Sequence, residues 1–281
     1  MLIFEDKFNM YLSKFENYIE EYLDELKKNQ MDDNLFESIK YSLVSKGKRI
    51  RPIITLAFYE LCGGKSSEIL KFALAIEMVH TYSLIHDDLP AMDNDTMRRG
   101  KPCNHIKFGE DIALLAGDAL LTNAFGLISS VDEFEIDSGK IVKAVGILSQ
   151  NAGALGMVSG QAMDLHLDIS EISKDDILKI YNLKTANLIS ASAEIGVVAA
   201  DIKDAYLSAA KIYGNNVGLC FQIVDDILDK EAENIEKFGG IEEAKNYAMK
   251  LSNQAKSSLD VFEGDSEFLY ELVDYLLSRL Y

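Results

Sequence analysis

The chain has 281 residues, 48% of them apolar and 26% charged, enough to bury a full core without a disulfide or metal staple. Its 28 Lys and Arg against 46 Asp and Glu give a formal charge of −18, which argues against nucleic acid and against anionic membrane surfaces as partners. Cys62, Cys103 and Cys220 show no CxxC spacing, which excludes a disulfide framework or thiolate zinc site and points to a reducing, cytoplasmic setting. The N-terminal stretch MLIFEDKFNMYLSKFENYIEEY lacks a basic start followed by an apolar run, so no signal peptide is expected. No run of eighteen apolar residues occurs, so no membrane-spanning helix is expected either.

In chain order, Phe8, Tyr11, Leu12, Phe15, Ile19, Tyr22, Leu23 and Leu26 recur at helical spacing and predict an amphipathic first helix. Residues 113–128, 141–159 and 185–200 are apolar on nearly all sides and predict central helices covered by others. Ile177, Ile180, Tyr181, Leu183, Leu188 and Ile189 predict one further helix. No proline follows Pro102, and no alternating strand pattern, internal repeat or low-complexity linker is present. The expectation is a single all-α domain over residues 1–281, a bundle of about ten helices.

Two aspartate clusters stand out within apolar surroundings. In the first, His80 and Asp87 fall within ~20° of each other on a helix, while Pro90 breaks the geometry and lets Asp93 swing back towards Asp87 and Asp88. In the second, Asp225 and Asp229 are i,i+4 and Gln222 is i−4 from Asp226, so the cluster is expected on one side of an unbroken helix. Like charges so placed repel and invite a counter-cation. All-oxygen ligation suits Mg²⁺, which prefers one or two carboxylates plus waters and phosphates.

Cations appear where a diphosphate needs them. Lys46, Lys48, Arg49 and Arg51 cluster before Pro52, and Arg98, Arg99 and Lys101 follow the first aspartate cluster. Guanidinium forks grip phosphate oxygens in pairs, whereas Lys acts as a point charge.

The segment from His80 to His105, with Asp87-Asp88-Leu-Pro-Ala-Met-Asp93 at its centre, resembles the first aspartate-rich motif of the trans-isoprenyl diphosphate synthases, in the bacterial farnesyl diphosphate synthase type. Gly47-Lys48-Arg49-Ile50-Arg51-Pro52, Gly160-Gln161-Ala162-Met163-Asp164, Lys184-Thr185 and Phe221-Gln222 through Asp229 are similar to its other motifs, in order, from about residue 40 to 230. The resemblance implies a helical bundle around a deep cavity, usually a homodimer. It also implies a condensation of isopentenyl diphosphate with dimethylallyl or geranyl diphosphate to farnesyl diphosphate. It assigns Lys48, Arg51, His80 and Arg99 to isopentenyl diphosphate, and Arg98 and Lys184 to the allylic diphosphate. Three Mg²⁺ ions would be held by Asp87, Asp88, Asp93 and Asp225, with Asp226 and Asp229 orienting metal waters and Thr185 and Gln222 beside the reacting carbons.

Chain length is read from Tyr82 and Ser83, about one turn (~5–8 Å) deeper than Asp87 on the same helix, where a tyrosine ring would act as a floor. Bacterial farnesyl synthases that the sequence resembles also carry Tyr-Ser here, and the resemblance implies a fifteen-carbon product, with ten- or twenty-carbon products as the alternative. After Asp229 the family usually carries a long loop with a lid lysine, whereas here only Lys230–Gly240 intervenes and Lys230 and Lys237 match that lysine poorly. Either the chain is a shortened variant or a mobile loop is missing from this stretch; the second is the expectation, since every other catalytic position is present. A non-catalytic regulatory subunit is the reading from another functional class, opposed by the two intact aspartate clusters.

Overall fold

The computed structural model describes residues 3–166, 173–200 and 203–278. In chain order the helices are α1 (Phe4–Lys28), α2 (Asp33–Leu43), α3 (Ile50–Leu61), α4 (Ile69–Asp87), α5 (Asn104–Phe108), α6 (Glu110–Ser129), α7 (Ser138–Ala152) and α8 (Met157–His166). They continue as α9 (Lys174–Tyr181), α10 (Asn187–Ala200), α11 (Asp204–Asp229), α12 (Ala232–Lys237), α13 (Ile241–Ser257) and α14 (Glu267–Leu277). A two-residue hairpin, β1 (Met97–Arg98) with β2 (Lys101–Pro102), links α4 to α5. The all-α expectation holds, with more segments than foreseen, because α5 and α12 are very short and breaks divide longer apolar runs.

The helix ends follow local chemistry. Asp32 caps α2 by accepting from the Leu35 amide, and Asp137 caps α7 by accepting from Gly139. Ser173 and Asp176 close a reciprocal capping box at α9. As expected, α1 turns Tyr11, Phe15, Ile19 and Leu23 inward.

The centre of the bundle is made by α3, α4 and α10, whose residues are buried on nearly every side. The core joins Phe58, Phe72, Ile76, Ile195 and Tyr213, and a second, smaller cluster packs Ile180, Tyr181, Ile223, Val224 and Phe238 between α9, α11 and α13.

Three expectations need correction. Residues 185–200 do form a central helix, but α6 and α7 lie at the periphery, with Leu114, Leu115 and Val142 exposed. Among the described residues, the outer faces that carry these side chains are exposed. Both α6 and the 138–166 stretch are long and apolar enough, by length and composition, to span a membrane, although each is only 33% buried and the latter is broken between Gly153 and Gly156. Finally, the run from Ile177 to Ile189 is not one regular helix: α9 passes through a π-turn (Asn182–Ala186) into α10. Such turns mark functional sites more often than chance.

Candidate active site

The π-turn carries Lys184 and Thr185, and two close approaches pin it. A Cβ at Gly160 of α8 would lie 2.3 Å from the Lys184 nitrogen, and one at Gly218 of α11 would lie 2.4 Å from the Ala186 Cα. Only glycine permits both approaches. The helices on either side of the turn therefore meet it backbone to backbone.

Opposite the π-turn, α4 ends at the first aspartate cluster. The chain reverses beyond Pro90, and the Asp93 amide donates to the Asp87 carbonyl at 2.9 Å, the return that the sequence suggested. Burial raises the Asp87 carboxyl to about 6, with Asp93 and Asp88 adding to the rise and Lys184 and Arg98 opposing it. Asp93 is also raised, by desolvation and by the charges of Asp95 and Asp164. Asp88 is buried and paired with Arg98, whose Nε lies 2.6 Å from Oδ1. Lys184 pairs with Asp164 at 2.5 Å. Thus Arg98 and Lys184, both expected to face a diphosphate, are held by carboxylates in this conformation.

Two adjoining cavities meet at this cluster. The first, about 460 Å³, is mostly apolar: Tyr82, Met157, Val158 and Leu165 line it, with Ser83 at its side and Asp87, Lys184 and Thr185 at its mouth. The second, about 250 Å³, gathers Lys48, Arg51, His80, Arg99 and Asp225. Arg51 and His80 line both and form the partition. The cations assigned from sequence to one diphosphate are therefore brought together, and Asp225 joins them from α11.

The cationic cavity rests on a buried ion pair that the sequence reading did not single out. Arg49 adopts φ +49° just before α3, donates to Glu77 of α4 at 2.5 Å and to the Leu43 carbonyl at 2.7 Å, and so fixes the turn that presents Lys48 and Arg51. Burial lowers the Arg51 guanidinium to about 10, still charged at neutral pH, with Glu77 opposing the fall. Burial and the neighbouring Arg51, Arg99, Arg49 and Arg98 push His80 well below the ordinary histidine range, so its ring is neutral.

Gln161 was missed as well. Its side chain is buried against the apolar cavity, and neither its oxygen nor its nitrogen has a protein partner. A polar group so placed awaits a polar ligand. The Gly-Gln-x-x-Asp pattern was the signal in sequence, since it brings Gly160, Gln161 and Asp164 to the same turn.

The second cluster does not project to one side. Asp225 faces the cationic cavity, Asp229 is exposed at the end of α11, and Asp226 is buried on a different face. Asp226 accepts from Tyr181 Oη, from Gln222 Nε2 at 3.0 Å and from Asn234 Nδ2 at 3.1 Å. Gln222 in turn accepts from Thr185 Oγ1 at 3.0 Å. Lys230 closes α11 at φ +60°, α12 follows directly, and Gly239 and Gly240 lead into α13.

Among the described residues no three Asp, Glu, His or Cys side chains converge into a cage for a metal ion. Mg²⁺ would need only one or two of these carboxylates, with waters and phosphate oxygens completing its shell. The raised Asp87 and Asp93 carboxyls and the unpartnered Gln161 amide and Arg51 Nε fit a site completed by a cation and an anion.

A helical bundle that sets carboxylates and cations at the mouth of a hydrocarbon-sized cavity defines a transferase acting on diphosphate esters of apolar chains. Residues 32–245 match the polyprenyl synthetase family, and the chain belongs to it. It is 38% identical over 281 aligned positions to a farnesyl diphosphate synthase of Bacillus subtilis, covering 94% of each chain. With the large subunit 1 of a heterodimeric geranylgeranyl pyrophosphate synthase of Arabidopsis thaliana it shares 39% over 267 positions, covering 87% of this chain and 72% of the relative. In both alignments the positions outnumber the residues this chain supplies, so it is internally shorter than these relatives. A geranyltransferase structure from Legionella pneumophila superposes with a TM-score of 0.90 at 32% identity, covering 99% of this chain and 98% of that one. The chain is a trans-prenyltransferase.

Proposed function

We propose that the enzyme condenses isopentenyl diphosphate with dimethylallyl and then geranyl diphosphate, head to tail and with trans geometry, to give farnesyl diphosphate. The observation that carries this reading is the pair of adjoining cavities partitioned by Arg51 and His80, one cationic and one apolar. The acceptor diphosphate fits the cationic side, against Lys48, Arg51 and Arg99, with neutral His80 as a hydrogen-bonding wall. The allylic tail fits the apolar side, with its diphosphate at Asp87, Asp93 and Lys184.

Three Mg²⁺ ions bound between the two aspartate clusters would supply the Lewis acidity that draws charge onto the departing diphosphate. Asp87, Asp88, Asp93 and Asp225 would hold them, with Asp229 ordering their waters, while Asp226, satisfied by Tyr181, Gln222 and Asn234, would act through Gln222. Loading requires Asp88 to loosen from Arg98 and Lys184 from Asp164, which frees both cations for phosphate oxygens. Thr185 and Gln222 place oxygen dipoles beside the reacting carbons, where they soften positive charge without a strong nucleophile. The apolar walls keep water from the cationic centre. None of these residues offers a strong base, so the released diphosphate is the acceptor for the proton that leaves.

Tyr82 is buried against the apolar cavity and supports a fifteen-carbon limit. A twenty-carbon product is the second reading, favoured by the names of relatives such as the Arabidopsis subunit. The exposed apolar faces of α6 and α7 support a homodimer that covers them with a second copy, rather than a membrane. Three cysteines without a disulfide support a reducing, cytoplasmic location. Incubation with isopentenyl and dimethylallyl diphosphates and Mg²⁺, followed by sizing of the products, tests the reading. Mainly fifteen-carbon diphosphate is expected. No elongation, with or without an added synthase partner, overturns it.

A further inference from the structure

Asp226 is the meeting point of three elements. Tyr181, the last residue of α9, donates to it from one side of the π-turn, and Gln222 from within α11. Asn234 donates from α12, the short helix that the chain places directly after the second aspartate cluster. The same carboxylate reaches the reacting region through one relay, since Gln222 Oε1 accepts from Thr185. The backbone repeats this tie, with the Glu231 amide donating to the Asp226 carbonyl at 3.0 Å. Ile235 and Phe238 are buried, so the strap made by residues 230–240 has an apolar anchor besides its polar one.

We propose that Asn234 is a positioning residue: by fastening the short strap to Asp226 it holds Tyr181 and Gln222 against that carboxylate, and so fixes the π-turn that presents Lys184 and Thr185. The physical reason is the crowding of donors. A buried carboxylate satisfied by three fixed donors has one orientation, and loss of one lets it rotate and release the others. The inference rests on the prenyl-transfer reading of the site, but one arm of its test does not.

That arm is hydrogen exchange of the metal-free protein, comparing wild type with Asn234→Ala and Asn234→Asp. The aspartate keeps the shape and loses the donor. Both variants are expected to exchange about tenfold faster at residues 183–187 as well as at 232–237, with α3 unchanged. The other arm is steady-state kinetics with geranyl and isopentenyl diphosphates. A fall in kcat of about tenfold is expected, with the KM for isopentenyl diphosphate within about twofold, since its cations stand on other elements. Faster exchange confined to 232–237, an equal rise across all helices including α3, or wild-type behaviour of Asn234→Asp overturns the proposal. Absence of prenyl transfer in the wild type refutes the functional reading instead, and the exchange arm still decides this one.

Discussion

Arg98 Nε lies 2.6 Å from Asp88 Oδ1, so a carboxylate expected to bind metal and a guanidinium expected to bind phosphate neutralise each other across ten residues of sequence. Asp88 is buried and its partner is about one-third exposed, which makes the pair unequal. Arg98→Ala should leave the carboxylate short of a partner and destabilise the metal-free protein by about 1–3 kcal/mol, a loss that removal of a charged partner typically brings. Added Mg²⁺ and inorganic diphosphate should recover part of that loss in a thermal melt. A variant as stable as wild type would show that the pair contributes little.

Asp87 lines the apolar cavity from α4, and Asp225 lines the cationic one from α11. Asp87→Ala and Asp225→Ala should each lower kcat by about 10²–10³-fold or more, since each removes charge stabilisation used mainly in the transition state. Circular dichroism should stay that of a helical bundle. Removing divalent cations with EDTA should abolish turnover in the wild type. Full activity in either variant or in EDTA contradicts the metal-assisted reading.

The acceptor site separates from the allylic site at Arg51. Lys48→Ala or Arg51→Ala should raise the KM for isopentenyl diphosphate by about 10- to 100-fold, from loss of a charge-assisted hydrogen bond of roughly 1.5–3 kcal/mol. The constant for the allylic substrate should move less. If the allylic constant rises and the isopentenyl constant holds, the two cavities have been assigned the wrong way round.

Burial raises Asp87 to about 6 from an ordinary value of 3.8, so the folded metal-free protein binds that proton more tightly than the unfolded chain. The contribution is therefore unfavourable at neutral pH. It fades as pH falls through 6 and vanishes below about 4, where the carboxyl is protonated in both states. Asp87→Asn should stabilise the metal-free protein at pH 7.5, on the order of 1 kcal/mol after allowance for partial solvation, and hardly at all at pH 4. Melting curves at the two pH values check the sign. Equal effects at both would mean that packing, not ionisation, is the cause.

Tyr82 lines the apolar cavity from α4, about one turn from Asp87. Tyr82→Ala should lengthen the room for the tail and shift product from fifteen carbons towards twenty or more. Chromatography of the dephosphorylated alcohols reads this directly. An unchanged product distribution places the floor elsewhere along the cavity.

The helical class, the two aspartate clusters and the basic patches could be read from the chain alone, because each is a local pattern. Helical spacing fixes which residues share a face, and Asp87, His80, Lys48 and Arg51 line the two cavities. What local pattern could not decide is which apolar helix is covered. The strings 113–128 and 185–200 are alike in composition, yet α10 is enclosed by α3 and α11 while α6 leaves one face open, since enclosure depends on partners distant in sequence. Nor could spacing orient a carboxylate. Asp225 and Asp226 are neighbours in the chain, and only the arrival of Tyr181 and Asn234 from other elements turns one into a buried hydrogen-bonded node while the other faces the cations. The π-turn itself depends on Gly160 and Gly218 approaching from two further helices. The sequence by itself determined which chemistry is present. The tertiary structure decided which groups meet, because hydrogen bonds and backbone approaches of this kind join residues of separate elements 8 to 45 positions apart.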